Sequence, residues 1–170
     1  MNYIIWPEGY IPGESHNFAS NEIIVKGITA EEVWEYLTDT SAWPTYYANA
    51  SDIHFYNESG PKLTENSRFK FTTFGFLVEA QIKEFVAPIN GNTGRIAWHG
   101  WVEGNENERL DVHHAWLIEN LEGNRVRILT QETQNGKPAK DMALTKPNPM
   151  INAHQDWLEG LAKKTLDSKK

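Results

Sequence analysis

The chain contains no cysteine, which excludes disulfides, thiolate nucleophiles and cysteine-based zinc sites. No apolar run approaches the roughly 20 residues that a membrane-spanning helix needs. Positive charge is scarce and dispersed: 16 Lys and Arg stand against 23 Asp and Glu, a formal net charge of −7. A reader of phosphate backbones gathers its basic residues on one surface, so nucleic acid is not an expected partner. The same balance argues against an anionic membrane surface, though not against single lipid molecules held in a pocket. The first residues, MNYIIWPEGYIPG, have no positive region and break their apolar run at Pro7, so a cytoplasmic protein is expected. A phosphate-cradling glycine loop and a cofactor motif are both missing, and no cofactor is expected.

Aromatic residues are what the chain has in abundance: 7 Trp, 6 Tyr and 7 Phe in 170 residues. Large rings fill cores, and they also line pockets for apolar or ring-shaped ligands. The length is most simply one domain, with residues 1–19 as an extended lead-in and a core over about 20–166.

Local signals order the elements. Asn21–Lys26 reads as a β-branched strand. Thr29-Ala30-Glu31-Glu32 is a capping box, with Ile28 and Val33 placed as a hydrophobic staple, and it opens a short helix. Ser41-Ala42-Trp43-Pro44 opens a second, through Tyr47. From Asp52 onward the residues alternate as antiparallel strands buried on one face: Ile53–Tyr56, Arg68–Thr73, the run around Val78–Ile82, Arg95–Val102 and a final pair within Arg109–Gly136. The end is helical, with Asn148 as N-cap, Pro149 at the first position, and Met150, Ile151, His154, Trp157, Leu158 and Leu161 on one face. One long helix gripped by a curved antiparallel sheet of six to seven strands, with two short helices after the first strand, is an α+β helix-grip, and such a sheet leaves a cavity under the helix.

The Arg109–Gly136 pair carries the chemistry. Val112, His114, Trp116 and Ile118 share one face; Val126, Ile128, Thr130 and Glu132 share the matching one. A three-residue loop at Glu122–Asn124 sets His114 opposite Glu132, and a shift by two sets it opposite Thr130 with Glu132 diagonal. A histidine and a glutamate on apolar faces cost stability unless paired, solvated or used. Three roles fit the pair: a satisfied polar contact, a handle that orients a ligand, or a general acid and base. His113 points to the opposite face and cannot join His114 on one metal, and no His-x-x-x-His or Glu-x-x-His spacing occurs, so no metal is expected. His154 lies on the apolar face of the last helix. Trp98, Trp116 and Phe71 fall on apolar strand faces, and Tyr46 and Tyr47 at the short entrance helix.

The succession "TAEEVWEYLTDTSAWPTYY", "IAWHGW", "HHAWLIE", "LTQETQNG" and "HQDWLEGL" resembles the START-like (SRPBCC) superfamily, in particular its polyketide cyclase/dehydrase and lipid-transport group with the fold of the birch-pollen allergen. The resemblance spans roughly residues 20–166. It implies a small, largely apolar ligand, aromatic, polyketide-like or lipid-like, inside the cavity. The family's cavity positions fall on Trp98, His114, Trp116 and Glu132, and the residue pattern adds Phe71, Tyr46, Tyr47, Thr130 and His154 as candidate ligand-binding residues. If the protein is an enzyme of the cyclase, dehydratase or isomerase kind, His114 and Glu132 are its acid–base pair. A partner-binding module is a further alternative, and a homodimer through a free sheet edge is possible.

Overall fold

The computed structural model describes residues 2–170, and of Glu58 the backbone alone. Its strands are β1 (Asn17–Lys26), β2 (Ser51–Phe55), β3 (Arg68–Thr73), β4 (Phe76–Val86), β5 (Gly94–Val102), β6 (Leu110–Leu121) and β7 (Arg125–Asn135). The helices are α1 (Ala30–Thr38), α2 (Trp43–Tyr46), α3 (Lys137–Leu144) and α4 (Pro149–Asp167). The seven strands form one sheet in the order β1-β7-β6-β5-β4-β3-β2, antiparallel throughout. The fold is the α+β helix-grip.

The expected capping box starts α1. Thr29 Oγ1 accepts from the Glu32 amide at 3.3 Å, and Glu32 Oε2 accepts from the Thr29 amide at 2.9 Å. Ile28 and Val33 are both buried beneath it. Trp43 anchors α2 by donating from its indole N–H to the Leu37 carbonyl at 2.9 Å. Asn148 caps α4, accepting from the Met150 amide at 3.1 Å. That helix turns Met150, His154, Trp157, Leu158 and Leu161 toward the concave sheet face. Between them lies the core, where Trp43, Trp98, Trp116 and Phe69 are fully buried. Each such ring removes about 150–250 Å² from water, a contribution of several kcal/mol.

Several features depart from the sequence reading, among them Ile151, expected on the apolar face of α4 and exposed. β1 begins at Asn17 instead of Asn21, because Asn17 and Phe18 pair with Gln134 and Thr133 at the end of β7. The short helix α3 is new; it buries only Ala139, too little for an apolar period to register. Most consequential, the N-terminal segment is no loose lead-in but a strap across the convex sheet face. Ile4 is buried against Ala97, Ala115, Leu117 and Leu129. Trp6 sets its edge on His113, ring centroids 5.5 Å apart. Asn135 Nδ2 donates to the Gly9 carbonyl at 2.8 Å, and Arg95 Nη1 to the Tyr3 carbonyl at 3.1 Å. The central stretches of β5 and β6 are therefore covered on both faces.

Candidate functional site

Register brings the first two groups together. β5 sets Trp98 beside His114, and β6 pairs His114 with Glu132 on β7, the pairing that the three-residue loop predicts. The third arrives from α4, whose His154 ring lies over that of His114 with centroids 4.6 Å apart and planes within 20°. A cavity of about 50 Å³ opens at this point. It has room for a few water molecules or the polar end of a small ligand. Tyr47, Phe71, Trp98 and Trp157 wall its buried part, and Phe74, Phe76, Trp101 and Met142 lie toward the outside.

Hydrogen bonds fix the polar wall. Thr130 Oγ1 donates to the Ala115 carbonyl at 3.1 Å, so toward His114 it can only accept. His114 Nε2, 2.8 Å from that hydroxyl, therefore carries the ring proton. The other nitrogen, Nδ1, is left as an unprotonated acceptor, 3.4 Å from Glu132 Oε1. Gln134 Nε2 donates to Glu132 Oε2 at 2.6 Å. His154 Nε2 faces the same oxygen from 3.8 Å, and His154 Nδ1 is buried without a hydrogen-bond partner.

These separations are those of ion pairs, yet burial disfavours every charge here. It pushes the Glu132 carboxyl up to about 8, against the opposing hydrogen bond from Gln134. It holds His154 down at about 4, and drives His114 well below the usual imidazole range with help from the neighbouring histidines. A neutral carboxylic acid facing a neutral imidazole acceptor is the form that geometry and burial both favour. Among the described residues, His114, Glu132 and His154 also form a group whose donor atoms all lie within 4.8 Å of one another, close enough to hold an ion.

Of the nine residues expected at the ligand, Phe71, Tyr47, Trp98, His114, Glu132 and His154 line the cavity. Tyr46, Trp116 and Thr130 do not. Tyr46 turns away because its hydroxyl donates to the Tyr36 carbonyl at 3.0 Å. Trp116 and Thr130 share the concave parity but sit two residue pairs further along the hairpin, beneath His114, where Trp116 stacks on the ring at 5.3 Å. Gln134 and Trp157 are among the lining residues that the sequence reading did not place there. Gln134 was legible as the next concave position after Glu132. Trp157, one helical turn after His154, reads as core from its spacing alone. His113 lies on the convex face, as parity requires, under Trp6 and Tyr10, and burial holds it down at about 4.

No family model matches the chain, and no curated protein does. Among solved structures, hypothetical protein jhp0584 from Helicobacter pylori is 50% identical over 97% of each chain, with a TM-score of 0.92. Norcoclaurine synthase from Thalictrum flavum, a point mutant in complex with a transition state analogue, is 11% identical, covers 91% of this chain and 96% of its own, and has a TM-score of 0.62. The di-domain ARO/CYC protein BexL, from the BE-7585A biosynthetic pathway, is 12% identical over 86% of this chain and 45% of its own, at a TM-score of 0.60. At these low identities the likeness to the synthase and to BexL concerns the fold alone.

Proposed function

We propose that this chain, which belongs to one family with hypothetical protein jhp0584 of Helicobacter pylori and shares the helix-grip fold of norcoclaurine synthase and BexL, binds a small, largely apolar molecule with one polar end in the cavity between sheet and α4. The supporting observation is the segregation of that cavity: His114, Glu132 and His154 share one wall, and aromatic and aliphatic side chains make up most of the rest. A carbonyl, hydroxyl or carboxyl group is the complement of the polar wall. At about 50 Å³ the cavity takes little more than that group. A ring or acyl chain extends past Phe74 and Phe76 toward the outside.

A second reading, proton transfer, has one observation in its favour. Thr130 fixes the His114 tautomer so that a proton acceptor faces the Glu132 carboxyl beside the space where a ligand would sit. On this reading the ligand is a carbonyl compound that gains or loses a proton next to its carbonyl carbon.

Native mass spectrometry of freshly purified protein tests both. The expected result is a co-purified small molecule whose retention falls in His114→Gln and Glu132→Gln. Loss of one hydrogen-bonding partner to a buried polar group costs about 1–3 kcal/mol, roughly a 5- to 150-fold loss of affinity. Turnover of the identified molecule, abolished in either variant, separates catalysis from binding. Undiminished retention in both variants would sink the assignment of this wall as the anchor.

A further inference from the structure

We propose that His114, Glu132 and His154 together bind one divalent transition-metal ion, of the Zn²⁺ or Fe²⁺ kind, at the polar wall of the cavity. This deepens the cavity reading, on which it rests for the role of the ion's open side.

Three independent features carry it. The donor set is two imidazoles and a carboxylate, from β6, β7 and α4, with the donor atoms within 4.8 Å of one another. That composition suits Zn²⁺ and Fe²⁺; a hard Mg²⁺ or Ca²⁺ ion prefers oxygen ligands throughout. The outer hydrogen bonds are those that metal ligands carry. His114 gives its Nε2 proton to Thr130, which leaves the Nδ1 lone pair free for an ion, and Gln134 holds one oxygen of Glu132. Finally, His114 Nδ1 and Glu132 Oε1 lie 3.4 Å apart, a separation at which an ion can take the place of the carboxyl proton between them.

Donors on a tetrahedral ion at about 2.0–2.2 Å lie roughly 3.4 Å from each other. The His114–Glu132 separation already has that value. His154 Nε2, now 3.8 Å from Glu132 Oε2, has to swing inward and its ring has to tilt out of its stack on His114, because the in-plane lone pairs of two parallel rings do not converge; its Nδ1 holds no hydrogen bond among the described residues. Three protein ligands leave at least one coordination position, and it points into the cavity, where water or the polar oxygen of a ligand would complete the shell.

Cobalt(II) is the probe. Chelator-treated full-length protein is titrated with Co²⁺, followed by visible absorption and by tryptophan emission, then challenged with Zn²⁺. Trp98, Trp116 and Trp157 lie with ring centroids 4.8, 5.3 and 5.6 Å from that of His114, so a bound Co²⁺ quenches them. The expected result is one equivalent bound, with quenching that Zn²⁺ reverses. Thr130→Val weakens binding by about 10- to 100-fold as an outer-shell change. His154→Gln and Glu132→Gln weaken it further, and His99→Gln on the convex face has no effect. No stoichiometric Co²⁺ binding by the wild type overturns the inference, as does binding that survives both His154→Gln and Glu132→Gln. The wild-type quenching decides even where a variant fails to fold. Small-molecule retention by the chelator-treated protein is scored separately, so the metal inference and the cavity reading can fail independently.

Discussion

Gly160 is where α4 touches α2, and Gly160→Ala is a sharp test of how the cavity is closed. A Cβ at this position falls well inside 3.0 Å of the Tyr46 carbonyl oxygen, with the Tyr46 carbonyl carbon at 3.2 Å and Cδ2 at 3.3 Å. Relief needs a shift on the order of 1 Å between the two helices. Little there can yield. The Trp43 indole is tied to the Leu37 carbonyl and the Tyr46 hydroxyl to the Tyr36 carbonyl. One helical turn before Gly160, Trp157 stacks on Tyr47 with centroids 4.5 Å apart. Overpacking costs about 1–3 kcal/mol. Disturbing the stack adds about 0.5–1.5 kcal/mol. Replacing a helical glycine by alanine returns up to about 1 kcal/mol. The net is a destabilisation of about 2 kcal/mol, which lowers Tm by about 4–8 °C in a chain of this size. Thermal unfolding followed by near-ultraviolet circular dichroism reads both Tm and the tryptophan environment. Asn152→Ala, at an exposed position of the same helix, is the control for propensity alone, and its Tm should hold or rise slightly. An unchanged or raised Tm for Gly160→Ala would refute the close contact between the helices.

Two further outcomes follow from features outside the cavity. Ile4→Ala removes the residue that fastens the strap to Ala97, Ala115, Leu117 and Leu129; the loss is about 2–3 kcal/mol by chemical denaturation, and a loss under about 0.5 kcal/mol would show the strap to be unanchored. For Glu79, burial pushes the carboxyl up, but the hydrogen bonds from Arg68 and Tyr56 outweigh it and the net shift is downward. A carboxylate with a depressed folded-state value adds stability above its unfolded value and loses it as pH falls through the folded one. The wild type should therefore exceed Glu79→Gln by about 1 kcal/mol at neutral pH, and a difference that fails to shrink as pH drops below 4.5 contradicts the assignment.

The fold was legible wherever one local signal sufficed. The capping box at Thr29, the Asn148-Pro149 start of α4 and the alternation along β3 and β4 each report their own geometry. Register was legible too, because a one-residue slip would turn Trp116 and Ile118 outward, and this placed His114 opposite Glu132. What escaped were contacts between segments distant in the chain. The strap was invisible because Ala97, Ala115 and Leu117 read as the back of a strand and nothing in MNYIIWPEGYIPG says where it docks. Tyr46 was misplaced because neighbouring tyrosines on one short helical turn point apart, one to Tyr36 and one to Trp157. The case against a metal rested on spacing within single elements, and the His114–Glu132–His154 group draws on three.

That group is buried on the concave face of the sheet, where a core built for stability alone would place Leu, Ile or Phe. His114 and Glu132 can satisfy each other only by holding a proton or an ion between them, and His154 Nδ1 has no hydrogen-bond partner among the described residues. Each such compromise in an apolar setting costs free energy that a hydrophobic replacement of similar volume avoids. Nor is the cluster a lapse of packing, since Thr130 and Gln134 are aligned to hold its tautomer and its carboxyl in place. Supporting hydrogen bonds around an arrangement that is itself incomplete are what the proposed site requires, since local rules give way where a protein acts. The aromatic walls then set the size and polarity of what can reach it. The same 50 Å³ that is too small for a whole apolar ligand is the right scale for a single functional group brought against His114 and Glu132.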